Sequence, residues 1–135
     1  MTLSINNETK KKILLVEDNL LNQKVAQNML QTLGHHLDIA STGQEAVSMF
    51  QQKNYDLVFL DIGLPDIDGL AVAQKIRAQN EQQLKYTPII AITAHARDED
   101  KFNCLKAGID EFLTKPVMMN SLIRSLERVT EQSLL

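Results

Sequence analysis

Asp56-Leu57-Val58-Phe59-Leu60-Asp61 is the stretch whose reading decides the fold. Its apolar run is too short for a helix and has no alternating polar positions, so it reads as a central strand covered on both faces. Upstream, Lys12-Ile13-Leu14-Leu15-Val16 is a second such run, ending in Glu17-Asp18. Downstream, Pro88-Ile89-Ile90-Ala91-Ile92 ends in Thr93-Ala94, and the short Glu111-Phe112-Leu113 leads to Thr114-Lys115-Pro116. A further short strand is read over His36 to Ala40.

Helical patterns separate these runs. Val25, Ala26, Met29, Leu30 and Leu33 recur at three- and four-residue spacing, with Asp18 or Asn19 as N-cap and Gly34 closing the helix. Ser41 or Thr42 caps a helix carrying Ala46, Val47 and Phe50 on its inner side. Asp68 caps one whose inner face holds Leu70, Ala73 and Ile76, followed by a polar connection from Ala78 to Thr87. Asp98 opens a helix with Phe102, Leu105 and Ala107 that Gly108 ends, and the last helix carries Leu122, Ile123, Leu126 and Val129. Strict alternation of strand and helix predicts an α/β fold: a five-stranded parallel sheet in a three-layer α/β/α sandwich. Right-handed crossovers make the doubly wound strand order 2-1-3-4-5 the natural one.

The bulk properties narrow the function. The chain has 135 residues, which suits one domain and is too few for two. We expect a polar leader over 1–10, the domain over 11–131 and a tail over 132–135. A net charge of −3 argues against a broad nucleic-acid-binding surface, and Lys10-Lys11-Lys12 reads as a solvated strand entry. The single cysteine, Cys104, excludes an intramolecular disulfide and a thiolate metal site. No apolar stretch approaches the ~20 residues needed to span a bilayer, and no secretory signal opens the chain. A cytoplasmic setting is expected.

In a parallel sheet, ligands bind at the C-terminal strand edge. Glu17, Asp18, Asp61, Thr93 and Lys115 would meet there. Three carboxylates that close disfavour joint ionisation. A hard cation resolves the conflict, and oxygen ligands suggest Mg²⁺ (with Mn²⁺ as a substitute). Asp18, Asp61 and a backbone carbonyl near Gly63 are the expected ligands, with Glu17 acting through a bound water. Asp61 is also a competent nucleophile toward phosphorus. Lys115 and Thr93 would serve two phosphoryl oxygens, and Ala94 leaves the approach open.

From about Lys11 to Val129 the chain resembles the receiver domains of two-component response regulators. The resemblance rests on Glu17-Asp18, on Asp61 with Leu64-Pro65 and Asp68-Gly69 behind it, on Thr93-Ala94 and on Lys115-Pro116. The runs Val16 to Gln23 and Ile92 to Ala96 are more similar to receivers of hybrid sensor kinases than to those of transcription factors. The resemblance implies a CheY-like, flavodoxin-like (βα)5 fold and a phosphorelay role, in which Asp61 accepts a phosphoryl group from a histidine kinase or a histidine-phosphotransfer domain. Such a domain is not a turnover enzyme, since it catalyses only its own phosphorylation and dephosphorylation. A cis Lys115–Pro116 bond that aims Lys115 inward is implied too. So is a switch: Thr93 moves toward the phosphoryl group, Phe112 turns into the vacated space, and the face of the fourth helix, fifth strand and fifth helix changes shape. That face would meet a downstream protein or another domain of the same chain, with no direct contact to nucleic acid or membrane. The domain would stand alone in the cytoplasm or form the cytosolic part of a membrane-bound hybrid kinase. Leu64 and Phe112 stand where many relatives have Met and Tyr. Gly63 and His95 flank the site and are expected to tune the lifetime of the acyl phosphate.

Three rivals are weighed against this reading. A flavodoxin-like electron carrier needs a phosphate-binding loop where Glu17-Asp18 stands. A haloacid-dehalogenase-like phosphatase needs a second Asp two residues after Asp61, where Gly63 stands. A non-phosphorylated receiver-like interaction module is expected to lack part of a constellation that is complete here.

Overall fold

A computed structural model describes residues 10–64, 66, 68–94 and 97–134. The expected leader, apart from residue 10, lies outside them, as do Pro65 and His95. The elements are β1 (Lys12–Val16), α1 (Leu20–Thr32), β2 (His36–Ala40), α2 (Gly43–Gln52), β3 (Leu57–Asp61), α3 (Gly69–Gln83), β4 (Ile89–Thr93), α4 (Asp98–Lys106), β5 (Glu111–Thr114) and α5 (Met119–Leu134). The strands form one parallel sheet in the order β2-β1-β3-β4-β5.

Consecutive strand residues point to opposite faces, and both faces are covered. Leu14, Val16, Val58, Leu60, Ile89 and Ala91 pack with residues of α2, α3 and α4. Ile13, Leu15, Leu57, Phe59, Ile90 and Ile92 pack with residues of α1 and α5. Every residue of β3 is buried, which explains why its sequence lacks alternation. Full burial of each large apolar side chain contributes about 1.5–3 kcal/mol.

The helix caps are local chemistry. Asn19 accepts the Asn22 N–H at 2.9 Å, which leaves Asp18 out of the cap. Thr42 accepts the Glu45 N–H at 3.1 Å, and Glu45 reaches back to the Ser41 N–H at 2.6 Å. Gly34 and Gly108, with φ of +91° and +92°, end α1 and α4 in the left-handed region.

Three expectations need correction. The helix read as ending near Ala78 continues to Gln83. Its last turns, Asn80-Glu81-Gln82-Gln83, are competent helix formers with no apolar periodicity to reveal them. Its buried Asn80 is satisfied instead by polar partners, bonding Arg77, the Thr87 backbone N–H and the Thr87 hydroxyl. Phe102 and Leu105 do not face the core; they are 61% and 63% exposed, while Ala107 is buried as expected and Cys104 is buried beside it. Val25 is likewise exposed, while Leu30 is buried and Ala26, Met29 and Leu33 pack beside it against the core.

On edge strand β2, Asp38 accepts a hydrogen bond from the Tyr55 hydroxyl at 2.6 Å, and Lys53 lies 3.3 Å from the same oxygen. The Tyr55 bond holds the Asp38 carboxyl below its usual range, outweighing the opposing effect of burial. A depressed carboxylate contributes stability above its unfolded pKa and loses it as pH falls through the folded value. Tyr55→Phe is therefore expected to lose about 1.5 kcal/mol at pH 7, typical of a hydrogen bond to a charged group. Denaturant unfolding at pH 7 and pH 3 checks this: the gap between variant and wild type must shrink at the lower pH.

Candidate functional site: an acidic cleft at the C-terminal sheet edge

Register brings the site together. Val16 lies beside Leu60, Asp61 beside Ile92, and Thr93 beside Thr114. The residues ending β1, β3, β4 and β5 therefore converge, although they are far apart in sequence. Glu17, Asp18, Asp61, Gly63, Thr93, Ala94 and Lys115 all line one cleft of about 500 Å³. Phe112 does not line it. That side chain, on β5, is half-buried against the core, with the Lys101 ammonium 5.0 Å from its ring centre. His95 lies outside the described residues.

Glu17, Asp18 and Asp61 each offer a carboxylate oxygen, and these atoms lie within 4.8 Å of one another. Glu17 and Asp61 are buried, whereas Asp18 is exposed at the mouth. The Lys115 ammonium sits 3.1 Å from Asp61 Oδ2 and 3.7 Å from Glu17 Oε1. The other Asp61 oxygen accepts the Gly63 N–H at 3.0 Å. Burial pushes the Glu17 carboxyl up to about 7; the Asn19 N–H bond and Lys115 oppose the shift, and neighbouring Asp61 adds to it. Three carboxylates against one ammonium leave two formal negative charges when all are ionised. That surplus and the all-oxygen donor set fit a hard divalent cation. The Lys115–Pro116 peptide bond is cis, and the Lys115 N–H donates to the Thr93 carbonyl at 2.8 Å.

Several contributors were not legible beforehand. Gln23 is buried on the inner face of α1, where it donates to the Glu17 carbonyl at 2.6 Å and to the Ser41 hydroxyl at 3.1 Å. Its signal in the sequence is a polar residue interrupting an apolar face. Arg97, at the N-cap of α4, and Asp100 and Asn103 within it form one wall of the cleft. Arg97 and Asp100 pair at 3.4 Å. Asp66, between β3 and α3, reaches the start of α2.

The chain belongs to the response regulator receiver domain family, whose model matches residues 13–127. It is a receiver domain of the two-component and phosphorelay type. It is 41% identical over 118 residues to the osmosensing histidine protein kinase SLN1 of Saccharomyces cerevisiae, covering 82% of this chain and 9% of the kinase. The curated relatives include other hybrid kinases, and the chain spans only 6–16% of the first of them. Among solved structures, it is similar to the receiver domain of sensor histidine kinase PA1611 from Pseudomonas aeruginosa PAO1, which holds a magnesium ion in its active-site cleft. That match has 40% identity and a TM-score of 0.79, over 88% of this chain and 96% of that one. A chain in the co-crystal structure of the yeast phosphotransfer protein Ypd1 with the Ssk1 receiver domain matches at 31% identity and a TM-score of 0.81. It covers 87% of this chain and 86% of that one.

Proposed function

We propose that Asp61 is the phosphoacceptor of a phosphorelay, charged by a phosphohistidine on a histidine kinase or a histidine-phosphotransfer domain. The observation that carries this reading is the buried Asp61 carboxylate, 3.1 Å from Lys115 and within 4.8 Å of Glu17 and Asp18. A carboxylate oxygen of Asp61 forms the new P–O bond, the P–N bond to the donor imidazole breaks, and the imidazole nitrogen keeps the electron pair. Lys115 and the Thr93 hydroxyl meet two of the phosphoryl oxygens, and small Ala94 leaves them room. Asp18, Asp61 and the Gly63 carbonyl would hold Mg²⁺, or Mn²⁺, with Glu17 acting through water. When bound, the cation neutralises charge on the phosphoryl oxygens.

A groove beside the cleft suits the donor. It is lined by Leu21, Val25, Ala26, Pro116 and Val117 and shares Glu17, Asn22 and Lys115 with the acidic cleft. Leu21 is 71% exposed and Val25 45%, so an apolar donor surface seated there would bring its histidine to Asp61. The yeast Ypd1–Ssk1 complex supports a donor of this type.

The output is a population shift on the face made by α4, β5 and α5, with Thr93 and Phe112 as the moving parts. Taking it from 1:99 to 99:1 requires about 5.5 kcal/mol of differential contact. The face would act on a downstream protein or another domain of the same chain, in the cytoplasm or on the cytosolic side of a membrane-bound kinase. Among the described residues no helix is long and apolar enough to cross a membrane.

Intact-mass spectrometry after incubation with acetyl phosphate tests this reading. A gain of one phosphoryl group that requires Mg²⁺ supports it. No gain from the folded protein would favour a non-phosphorylated interaction module. Substitutions at Gly63 and His95 are expected to change the decay rate of that adduct several-fold. A Cβ at Gly63 would lie 3.8 Å from Asp61 Oδ1, an ordinary contact beside the acyl phosphate. Unchanged decay in both variants would remove the two residues from that role.

A further inference from the structure

Asp66 lies midway along the connection between β3 and α3, and two of its bonds leave that connection. Its two carboxylate oxygens accept the Gly43 N–H at 2.8 Å and the Gln44 N–H at 3.0 Å. Those are the first two residues of α2, whose N–H groups have no partner within the helix. The third, Glu45 N–H, goes to the Thr42 hydroxyl. The first intrahelical bond runs from the Ala46 N–H to the Thr42 carbonyl at 3.0 Å. A carboxylate from 22 and 23 residues away thus closes the positive end of α2 with a two-point grip.

The same connection carries Gly63. Among the described residues, its start is tied to β4 by the Ile62 N–H donating to the Ile92 carbonyl at 3.0 Å, and its remaining hydrogen bonds are local: Gly63 N–H to Asp61 at 3.0 Å, Leu70 N–H to Asp68 at 3.1 Å, and Gly69 N–H to the Ile62 carbonyl at 3.3 Å. The Ile62 bond fixes the β3 side of Gly63 and Leu64 packs against the core, while the Asp66 bonds fasten the later part of the connection to α2. We infer that Asp66 is a positioning residue for the cation site: by gripping the α2 N-terminus it holds the Gly63 backbone against Asp18 and Asp61. By linkage, a cation bound in the cleft tightens the grip on α2 by the same factor. The inference rests on the proposed role of the Gly63 carbonyl as a cation ligand.

The test is Mg²⁺ titration of the whole chain, followed by calorimetry and by amide hydrogen exchange at Gly43 and Gln44. Partners of metal ligands change affinity by about 10–100-fold, and Asp66 acts one bond further out. Asp66→Ala is therefore expected to raise the Mg²⁺ Kd about 3–10-fold, with phosphorylation by acetyl phosphate recovering at saturating Mg²⁺. Asp66→Asn keeps one acceptor oxygen and recovers part of the affinity. In the wild type, Mg²⁺ slows exchange at Gly43 and Gln44. An Asp66→Ala variant with a lower melting temperature but unchanged Kd would make Asp66 a helix cap alone and overturn the inference. Should that variant not fold, Mg²⁺-independent exchange at Gly43 and Gln44 in the wild type overturns it equally. A wild type that binds no Mg²⁺ at millimolar concentration would sink the cation site itself, a different failure.

Discussion

Asp61→Asn is expected to abolish Mg²⁺-dependent phosphorylation by acetyl phosphate, a loss of at least ~10³-fold, as when a covalent nucleophile is removed. The amide matches the carboxylate in size, so the cleft keeps its shape, but the amide oxygen is not a competent nucleophile toward phosphorus. The folded state should not suffer. Asp61 raises the Glu17 carboxyl, so removing its charge relieves a repulsion inside a buried site. Lys115, 3.1 Å from Asp61, keeps Glu17 at 3.7 Å as a partner. Intact mass reads the adduct, and a melting curve without Mg²⁺ reads the fold. A phosphorylated Asp61→Asn protein would place the acceptor elsewhere. A collapsed melting temperature would mean that Asp61 is mainly structural.

Gly69→Ala should be the most damaging small substitution near the site. Gly69 opens α3 directly against the end of β3. A Cβ there would stand 2.7 Å from the Ile62 Cα, 2.9 Å from the Asp61 carbonyl oxygen and 3.1 Å from that of Ile62. All three obstacles are backbone, so no side chain can swing aside. Either α3 withdraws or Asp61 and Ile62 move. We expect a loss of about 2–4 kcal/mol, or roughly 10 °C in Tm for a domain of this size. Phosphorylation should fall too, because Asp61 is what the new methyl displaces. A Gly69→Ala protein with wild-type melting and wild-type phosphorylation would show that the connection yields freely.

Much of this was legible in the sequence because the signals are local. The apolar runs at Ile13–Val16, Val58–Leu60 and Ile89–Ile92 are buried strands wherever they are placed. The alternation of strand and helix implies a parallel sheet. A parallel sheet aligns its C-terminal ends, so Glu17, Asp61, Thr93 and Lys115 had to share an edge. The caps Asn19, Thr42 and Asp68 act over two or three residues and could be read as such.

What failed was whatever depended on partners distant in the chain. Phe102, Leu105 and Val25 have the spacing of an inner face, yet the turn of their helices against the sheet left them in solvent. The end of α3 went unseen because its buried Asn80 is stabilised by Arg77 and Thr87, not by apolar neighbours. Arg77 in turn bonds Asp110 at 2.9 Å and the Gly108 carbonyl at 2.9 Å, across more than thirty residues. Periodicity reports which side chains avoid water, not which polar groups find each other.

The sequence by itself determined the secondary elements, the parallel sheet and the polar groups at its edge, since each follows from hydrophobic run length, capping chemistry and chain direction. Only the tertiary structure decided the 3.1 Å approach of Lys115 to Asp61 across 54 residues, the grip of Asp66 on α2 and the absence of room for a methyl at Gly69. Those depend on how closely packed layers approach one another, a distance set by all the side chains of the core together.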